Sequence, residues 1–419
     1  MRLIRTSLLT LISTSVKIVS GVFINKAVAY YAGPSGMALI GQFQNFSQLA
    51  LTLAQGAINT GVTKFVAEYR ENNDLLIILI STAYKISILS SVLVSLFMLI
   101  WSTDLSYYFF HSYTHKYVFQ IYGITIFFFV LNNLLLSIIN GLKEIDTLVK
   151  INILQSIYSL ILTTYLIYCY GLSGALIASV TNQSVIFLLV IWMLRRHLII
   201  NFKYFNSKFN KVQAKKLAKF GLMTLTSAIT VPLSHLIIRN YIITSMGWES
   251  AGYWQAIWYV SNTYLMVVTT TLGVYYLPRL SELNDKNEIR SEILQGYKII
   301  MPIVIISSTV VFILKDYIIR LLFTENFNTV HDLFFWQLIG DVIKIAAWLI
   351  SYLMLAKSMT KIFIITEIIF NINFIFISIF MLKQFGLIGV TYSFALNYLI
   401  YFITVILLTR REWTVELAP

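Results

Sequence analysis

The sequence predicts an all-α polytopic membrane protein with about twelve transmembrane helices in two halves of six. Three observations predict it. Hydrophobic residues make up 58% of the chain and charged ones only 12%, with mean hydropathy +0.77, whereas a soluble protein carries about 25% charged residues. Apolar runs of membrane-spanning length recur from end to end. Basic residues gather in alternate loops, as they do in multi-pass proteins.

The first two spans run over 8–32 and 37–69, joined by Gly33-Pro34-Ser35-Gly36. The run behind Arg2 and Arg5 contains Lys17 and lacks a small-residue cleavage site, so it reads as a retained first helix and not a signal peptide. Four more spans cover 75–101, 117–140, 147–170 and 173–195. The longest loop follows, from Arg195 to Lys219, with Arg196, Lys203, Lys208, Lys211, Lys215 and Lys216. It divides the chain into a first half, 1–208, and a second, 209–419. The second six spans read as 217–245, 251–277, 297–314, 331–356, 360–382 and 386–409. The stretches Ser102–Lys116 and Lys315–Asp332 are rich in aromatic and apolar residues and read as interfacial helical extensions.

Of the 31 Lys and Arg, only Lys116, Lys315, Arg320 and Lys383 fall on the side opposite the termini, outside the helices. Both termini are therefore expected in the cytoplasm. This loop bias also accounts for most of the +13 formal charge, so no nucleic-acid partner is expected. The lone cysteine, Cys169, excludes an intrachain disulfide.

The second span carries Gln42, Asn45, Gln48, Thr52, Gln55, Asn59 and Thr63. On one continuous helix they fall within an arc of about 140° and cover about 30 Å, a full bilayer core. Such a seam is expected to face a hydrated cavity or other helices. The eighth span has a shorter one, Gln255, Asn262 and Thr269, at heptad spacing. The halves echo each other weakly. Lys26 precedes Gln42 by sixteen residues, and Arg239 precedes Gln255 by sixteen.

Six basic residues lie inside spans: Lys17, Lys26, Lys64, Lys85, Arg239 and Lys344. Each charge costs about 2.5–3.5 kcal/mol at a helix centre, so these must be paired, solvated or snorkelling. Lys64 has Glu68 four residues on, and Lys344 has Asp341 three residues before, so local pairs compete with functional roles. Lys85 either snorkels or lines a cavity. Lys17 sits about 180° around the helix from Lys26. Pro232, His235 and Arg239 share one helix face, and a bend at Pro232 would make that face a gated anion site. The alternative for Arg239 is snorkelling to headgroups. Asp341 and Glu367 are the intramembrane acids; each either binds a proton or cation or neutralises a lysine.

No nucleophile–base constellation, metal-ligand spacing or phosphate-cradling glycine loop occurs, so the expectation is a non-enzyme without metal or cofactor.

Four segments resemble a known family. They are Asn59-Thr60-Gly61-Val62-Thr63-Lys64-Phe65-Val66-Ala67-Glu68-Tyr69; His331 to Lys344, reading HDLFFWQLIGDVIK; Tyr276-Leu277-Pro278-Arg279-Leu280-Ser281; and the opening Lys17, Asn25-Lys26 and Gly33-Pro34-Ser35-Gly36. Together they resemble Wzx-type polysaccharide flippases, especially those for O-antigen and for enterobacterial common antigen (lipid III). The resemblance covers nearly the whole chain. It implies the multidrug/oligosaccharidyl-lipid/polysaccharide exporter fold, two six-helix bundles around a central cationic cavity. The implied substrate is an undecaprenyl-diphosphate-linked oligosaccharide crossing the bacterial inner membrane in lipopolysaccharide or other surface-polysaccharide biosynthesis. Lys26, Arg239, Lys17 and His235 would then hold the diphosphate, and Gln42, Asn45, Gln48, Gln55, Asn59, Gln255 and Asn262 the sugar. Asp341, Glu367 and Lys344 would serve coupling, and a polysaccharide polymerase and chain-length regulator are the implied partners, beside membrane lipids. Two other classes compete. A membrane glycosyltransferase or polymerase usually has long external loops with charged residues, and the first external turn here has neither. A cation-coupled drug exporter would be poorly served by a cavity rich in Lys and Arg.

Overall fold

The computed structural model describes residues 2–195, 197, 204–205, 207–283, 285–357 and 359–413; Arg196 and Lys203 of the basic loop lie outside the described residues. The elements are helices α1 (Arg2–Ala54), α2 (Asn59–Glu68), α3 (Asn73–Ile100), α4 (Ser102–Phe110), α5 (Lys116–Gly141), α6 (Ile145–Leu194), α7 (Lys211–Met246) and α8 (Trp248–Thr271). A π-helical turn (Leu272–Tyr276) carries α8 into α9 (Leu277–Glu282). Then come α10 (Lys286–Ile313), α11 (Lys315–Leu322), a 3-10 stretch (Glu325–Leu333), α12 (Phe334–Ala356), α13 (Thr360–Phe385), the 3-10 turn Gly386–Ile388 and α14 (Gly389–Trp413). No strand occurs among the described residues. The interfacial stretches of the sequence reading coincide with α4 and α11.

Among the described residues seven helices are long and apolar enough to cross a membrane, or eight with the bent α7. Three of the seven span 43, 50 and 54 residues. At 1.5 Å per residue each is about twice the ~30 Å hydrocarbon thickness, and each contains a break at a glycine: Gly33, Gly171 or Gly386. Counting each as two spans gives eleven with the bent α7 among the described residues; α8, less apolar than these, is the twelfth of the sequence reading.

Gly171 (φ 56°, ψ −130°) and Gly386 (φ 65°, ψ −153°) show how the chain reverses. A positive φ costs glycine nothing and other residues more. Three positions later a second glycine lies against an earlier carbonyl, Gly174 on Leu166 and Gly389 on Met381, where a Cβ would have no room. Gly33 and Gly247 mark two further reversals with positive φ, and Lys143 takes the same left-handed backbone in the turn between α5 and α6. Gly33 to Gly247 and Gly171 to Gly386 are separated by 214 and 215 residues, so the internal repeat is written most clearly in its turns.

The second span departs from expectation. It stops at Ala54 and resumes at Asn59. Ala57 N donates to Thr52 O at 3.1 Å and Gly56 N to Leu53 O at 3.0 Å, the paired bonds that end a helix on a left-handed residue, here Gly56 with φ 63°. The polar seam is thus not continuous: Gln42 to Thr52 lie on α1, Asn59 and Thr63 on α2, and Gln55 in the break.

The chain divides into two units, Met1–Ala32 with Leu39–Leu233, and Gly33–Ala38 with Ser234–Pro419. The division between these units runs through α7 beside Pro232. The start of α7 belongs to the first unit because it packs on α2 and the break before it. Gly61 faces Leu217, Gly221 faces the Ala57 carbonyl, and Lys216 Nζ donates to Tyr69 Oη at 2.8 Å. Gly33–Ala38 belongs to the second because Gly252 of α8 lies directly on the Pro34 carbonyl. The 48° bend of α7 falls between Lys219 and Thr224, ahead of Pro232.

In the first unit, α2, α3, α5 and α6 bury a core that includes Val62, Val66, Leu79, Ile80, Ile138 and Val190. The basic loop is held against α3. Lys85 Nζ donates to Ser207 O at 2.6 Å, Ser81 Oγ to the same carbonyl at 2.7 Å, and Asn210 N to Thr82 Oγ1 at 3.2 Å. Lys85 therefore anchors the loop. Asn210 then caps α7 through Oδ1, which accepts from Val212 N and Gln213 N. In the second unit α12 is the most enclosed of the apolar spans, with Gly340 pressed on Phe394 of α14.

The Gly252–Pro34 contact yields a prediction. Gly252→Val lowers the amount of protein in the membrane and the thermal midpoint of the purified protein, since overpacking costs about 1–3 kcal/mol. Gly273→Ala, where an added Cβ meets nothing within 4 Å, leaves both unchanged. Equal effects of the two substitutions in a thermal-unfolding assay would refute the close-contact account.

Candidate functional site

The chemistry-bearing side chains of the second unit converge on one buried cluster. α7 presents His235 and Arg239, one helical turn apart, with 4% and 1% of their surface exposed. The Arg239 guanidinium lies over the Trp254 ring, 5.2 Å from its centroid, and Nη2 donates to Gln255 Oε1. Its Nε and Nη1 are buried with no hydrogen-bond partner among the described residues. Arg239 therefore does not snorkel. The His235 ring stacks on Trp254 at 5.3 Å and lies 4.6 Å from Trp258 and 6.1 Å from Phe374. Its Nδ1 has no partner either.

Lys344 of α12 is the third cationic group. Its Nζ lies 4.8 Å from the centroid of Trp348, 5.3 Å from Trp258 and 6.0 Å from Tyr398. Cation–π contacts of this kind contribute about 0.5–1 kcal/mol when exposed and about 2 or more when desolvated. Asp341, three residues before, takes different partners. Its Oδ2 accepts from Ser261 Oγ and from Tyr264 Oη at 3.0 Å. Gln337 Nε2 donates to Ser261 Oγ at 3.2 Å. Asp341 Oδ1 and Gln337 Oε1 are buried without partners among the described residues. The expected local ion pair is thus replaced by an aromatic box around the ammonium and a hydroxyl pair on the carboxylate.

A guanidinium and an ammonium buried beside indole rings, with no ion pair at either among the described residues, form a concentrated positive field in a low-dielectric place. Burying a charge without full compensation costs several kcal/mol. The unpartnered donors of Arg239 are what an anionic group with several oxygens would satisfy.

The other expected site residues are dispersed. In the first unit Lys17 is exposed and Lys26 half-buried, consistent with their opposite helix faces. Gln42 is buried with Oε1 unpartnered, and Asn59 Oδ1 is likewise unpartnered. Asn45 and Gln55 are half-buried. Gln48 lines a cleft within the unit. In the second unit Gln255 joins the cluster, while Asn262 is exposed. Glu367 is half-buried, and its carbonyl accepts from Asn371 Nδ2 at 2.8 Å; Asn371 Oδ1 accepts from Ser234 Oγ of α7 at 3.1 Å.

Sequence reasoning missed the aromatic frame. Trp254 and Trp258 are four residues apart, as are Lys344 and Trp348 and the pair His235 and Arg239. That repeated spacing puts each pair on one face. Ser261, Tyr264 and Gln337 carried no comparable signal.

The polysaccharide biosynthesis protein family model matches residues 46–332. The lipid III flippases of Escherichia coli (strain K12) and Shigella flexneri are each 29% identical over 404 residues, covering 96% of this chain and 97% of theirs. Among solved structures, an inward-facing multidrug-resistance MATE family transporter of the MOP superfamily superposes with TM-score 0.76, at 15% identity and 94% coverage of both chains. Its outward-facing form gives 0.75, covering 97% of this chain and 94% of that one. A MOP superfamily transporter from Pyrococcus furiosus gives 0.74 with the same coverage and 15% identity. At this identity the likeness establishes the fold.

The cluster makes a prediction of its own. Arg239→Ala removes the indole contact and the bond to Gln255; a charged hydrogen bond alone contributes about 1.5–3 kcal/mol. The thermal midpoint of the purified protein falls. Arg239→Lys keeps a charge above Trp254 but not the guanidinium fork, and gives an intermediate loss. Arg239→Gln with a normal midpoint would show that the guanidinium is not engaged as described.

Proposed function

Since the chain belongs to the polysaccharide biosynthesis protein family, we propose that it is a flippase carrying an undecaprenyl-diphosphate-linked oligosaccharide from the cytoplasmic to the periplasmic leaflet of a bacterial inner membrane. The observation that carries this reading is the end-to-end similarity to lipid III flippases. The chemistry supports it. A sugar diphosphate cannot cross hydrocarbon unaided, because each unsatisfied hydroxyl costs about 4–8 kcal/mol there. The buried cationic–aromatic cluster offers Arg239 to the diphosphate, with His235 and Lys344 adding to the field. The polyprenyl chain stays in lipid throughout. Both termini lie in the cytoplasm on the basic-loop bias, and the chain forms an N-terminal bundle, 1–208, and a C-terminal bundle, 209–419, on either side of the basic loop. Asp341, with its carboxylate half satisfied, is the candidate coupling group, and Glu367 the second. A polymerase and a chain-length regulator consume the product at the outer leaflet.

The O-antigen repeat unit or a similar saccharide is the cargo in this reading. Lipid III itself is the second reading, favoured by the name the relatives carry. Expression in a strain lacking its own lipid III flippase separates the two: restored enterobacterial common antigen assigns lipid III.

Deleting the gene in its host abolishes surface polysaccharide and leaves the lipid-linked repeat on the cytoplasmic leaflet. Arrival of the repeat at the periplasmic face at the normal rate, with no other flippase present, would falsify the reading. The membrane potential drives part of the movement. The diphosphate carries about two negative charges, and moving them outward from a negative interior gains up to about 4.6 kcal/mol per 100 mV, at about 2.3 kcal/mol per charge. Flipping in proteoliposomes accelerates under an imposed potential of that sign and slows under the reverse. A rate indifferent to both shifts the driving force to ion exchange, and Asp341→Asn then abolishes it.

A further inference from the structure

We infer that the first unit holds a saccharide subsite for neutral pyranose rings, separate from the cationic cluster; the inference rests on the reading of the chain as a lipid-linked oligosaccharide flippase. A cleft of about 370 Å³ opens within that unit, between both arms of α1, α5 and both arms of α6. The volume lies at the lower end of the roughly 300–1,000 Å³ range of small-molecule sites, room for a short saccharide. Eight of its thirteen lining residues carry a hydroxyl or a carboxamide, among them Gln44, Gln48, Ser159, Thr163, Asn182 and Gln183, and none is charged. Phe43 and Phe129 supply apolar wall.

That composition selects a ligand class. A cleft without a cation has nothing to hold a diphosphate. Its wall is mixed, and the hydroxyls and amides on eight of its lining residues offer hydrogen bonds that a lipid tail or a purely apolar molecule could not return. Neutral amides and hydroxyls beside aromatic rings match a pyranose, whose hydroxyl and acetamido groups exchange hydrogen bonds at its edge while its C–H face lies on a ring.

The donors and acceptors are pre-set by a layer behind them. Asn132, fully buried, donates from Nδ2 to Gln183 Oε1 at 3.1 Å. Its own Oδ1 accepts from Gln155 Nε2 at 3.5 Å. The carbonyl end of Gln183 is thereby occupied, and its Nε2 donors are the end offered to a ligand. Across the α6 hairpin Asn182 Nδ2 donates to Ser159 Oγ, which leaves Asn182 Oδ1 as an acceptor. Thr125 Oγ1 to Val180 O at 2.8 Å and Ser184 Oγ to Thr125 O at 2.7 Å fix α5 against the second arm of α6. Supporting bonds of this kind hold a site in its productive geometry. The expected seam contributes only Gln48 here; the rest comes from α5, α6 and other positions of α1.

The test uses the full-length protein in lipid nanodiscs and two fluorescent probes: undecaprenyl diphosphate, and the same lipid bearing one N-acetylglucosamine. Wild type binds the glycosylated probe more tightly. Asn182→Leu and Gln183→Leu each weaken the glycosylated probe about fivefold, the effect of one lost hydrogen bond, with the sugarless probe unaffected. Thr163→Val, nearly isosteric, gives the same selective loss without disturbing the packing. Arg239→Ala weakens both probes. If all three cleft variants weaken both probes equally, or neither, while wild type binds normally, the subsite is overturned and the flippase reading stands. If wild type binds neither probe, the flippase reading is overturned and the subsite with it.

Discussion

A guanidinium buried against an indole ring constrains the second unit. Arg239 is almost fully enclosed, bonded to Gln255 by one nitrogen and left with two unpartnered among the described residues. Holding a charge in such a place requires compensation from groups of the right polarity, since solvent is absent. The protein supplies it with aromatic faces: Trp254 under Arg239, and Trp258, Trp348 and Tyr398 around Lys344. The quadrupole of a ring attracts a cation without neutralising it. A carboxylate would cancel the charge. An indole leaves most of it available to an incoming anion, so the framework preserves an electrostatic demand instead of satisfying it.

The acid of the region is held apart by the same logic. Asp341 is tied to Ser261 and Tyr264 on one oxygen only. Helical spacing would have allowed Asp341 and Lys344 to pair across three residues. Packing turned them to different partners, because Trp258 and Trp348 occupy the space around the ammonium. The result is a titratable group and two cationic groups in one unit, each buried and each incompletely paired. The first unit shows the contrary pattern. Its cleft is lined by neutral amides and hydroxyls braced by a second layer, a surface for groups that exchange hydrogen bonds and carry no charge.

The two halves of the sequence nevertheless share a plan. Gly33 and Gly247, then Gly171 and Gly386, mark equivalent reversals at nearly constant separation. A tight reversal between antiparallel helices needs a left-handed backbone, and only glycine adopts it without strain. The turns therefore keep their residues while the faces of the helices diverge, one unit toward neutral polar groups and the other toward cations and indoles.

Much of this was determined by the sequence itself. Hydropathy and length decided the class and most of the spans, because a bilayer imposes a length on any helix that crosses it. The basic-loop bias is likewise a property of the chain. His235 and Arg239 were legible as one face from their spacing, and the joining of Arg239 to Gln255 was foreshadowed by their place in the repeat. Tertiary structure decided the rest. A periodic pattern assumes an unbroken helix, so it ran the polar seam straight through Gly56, where paired turn bonds end α1. It placed Lys85 in a cavity or at an interface, whereas the carbonyl of Ser207, more than a hundred residues away, takes its ammonium. It could not foresee which rings would surround Lys344, since Trp258, Trp348 and Tyr398 come from three helices. Periodicity specifies which face a residue is on; only packing specifies what that face meets.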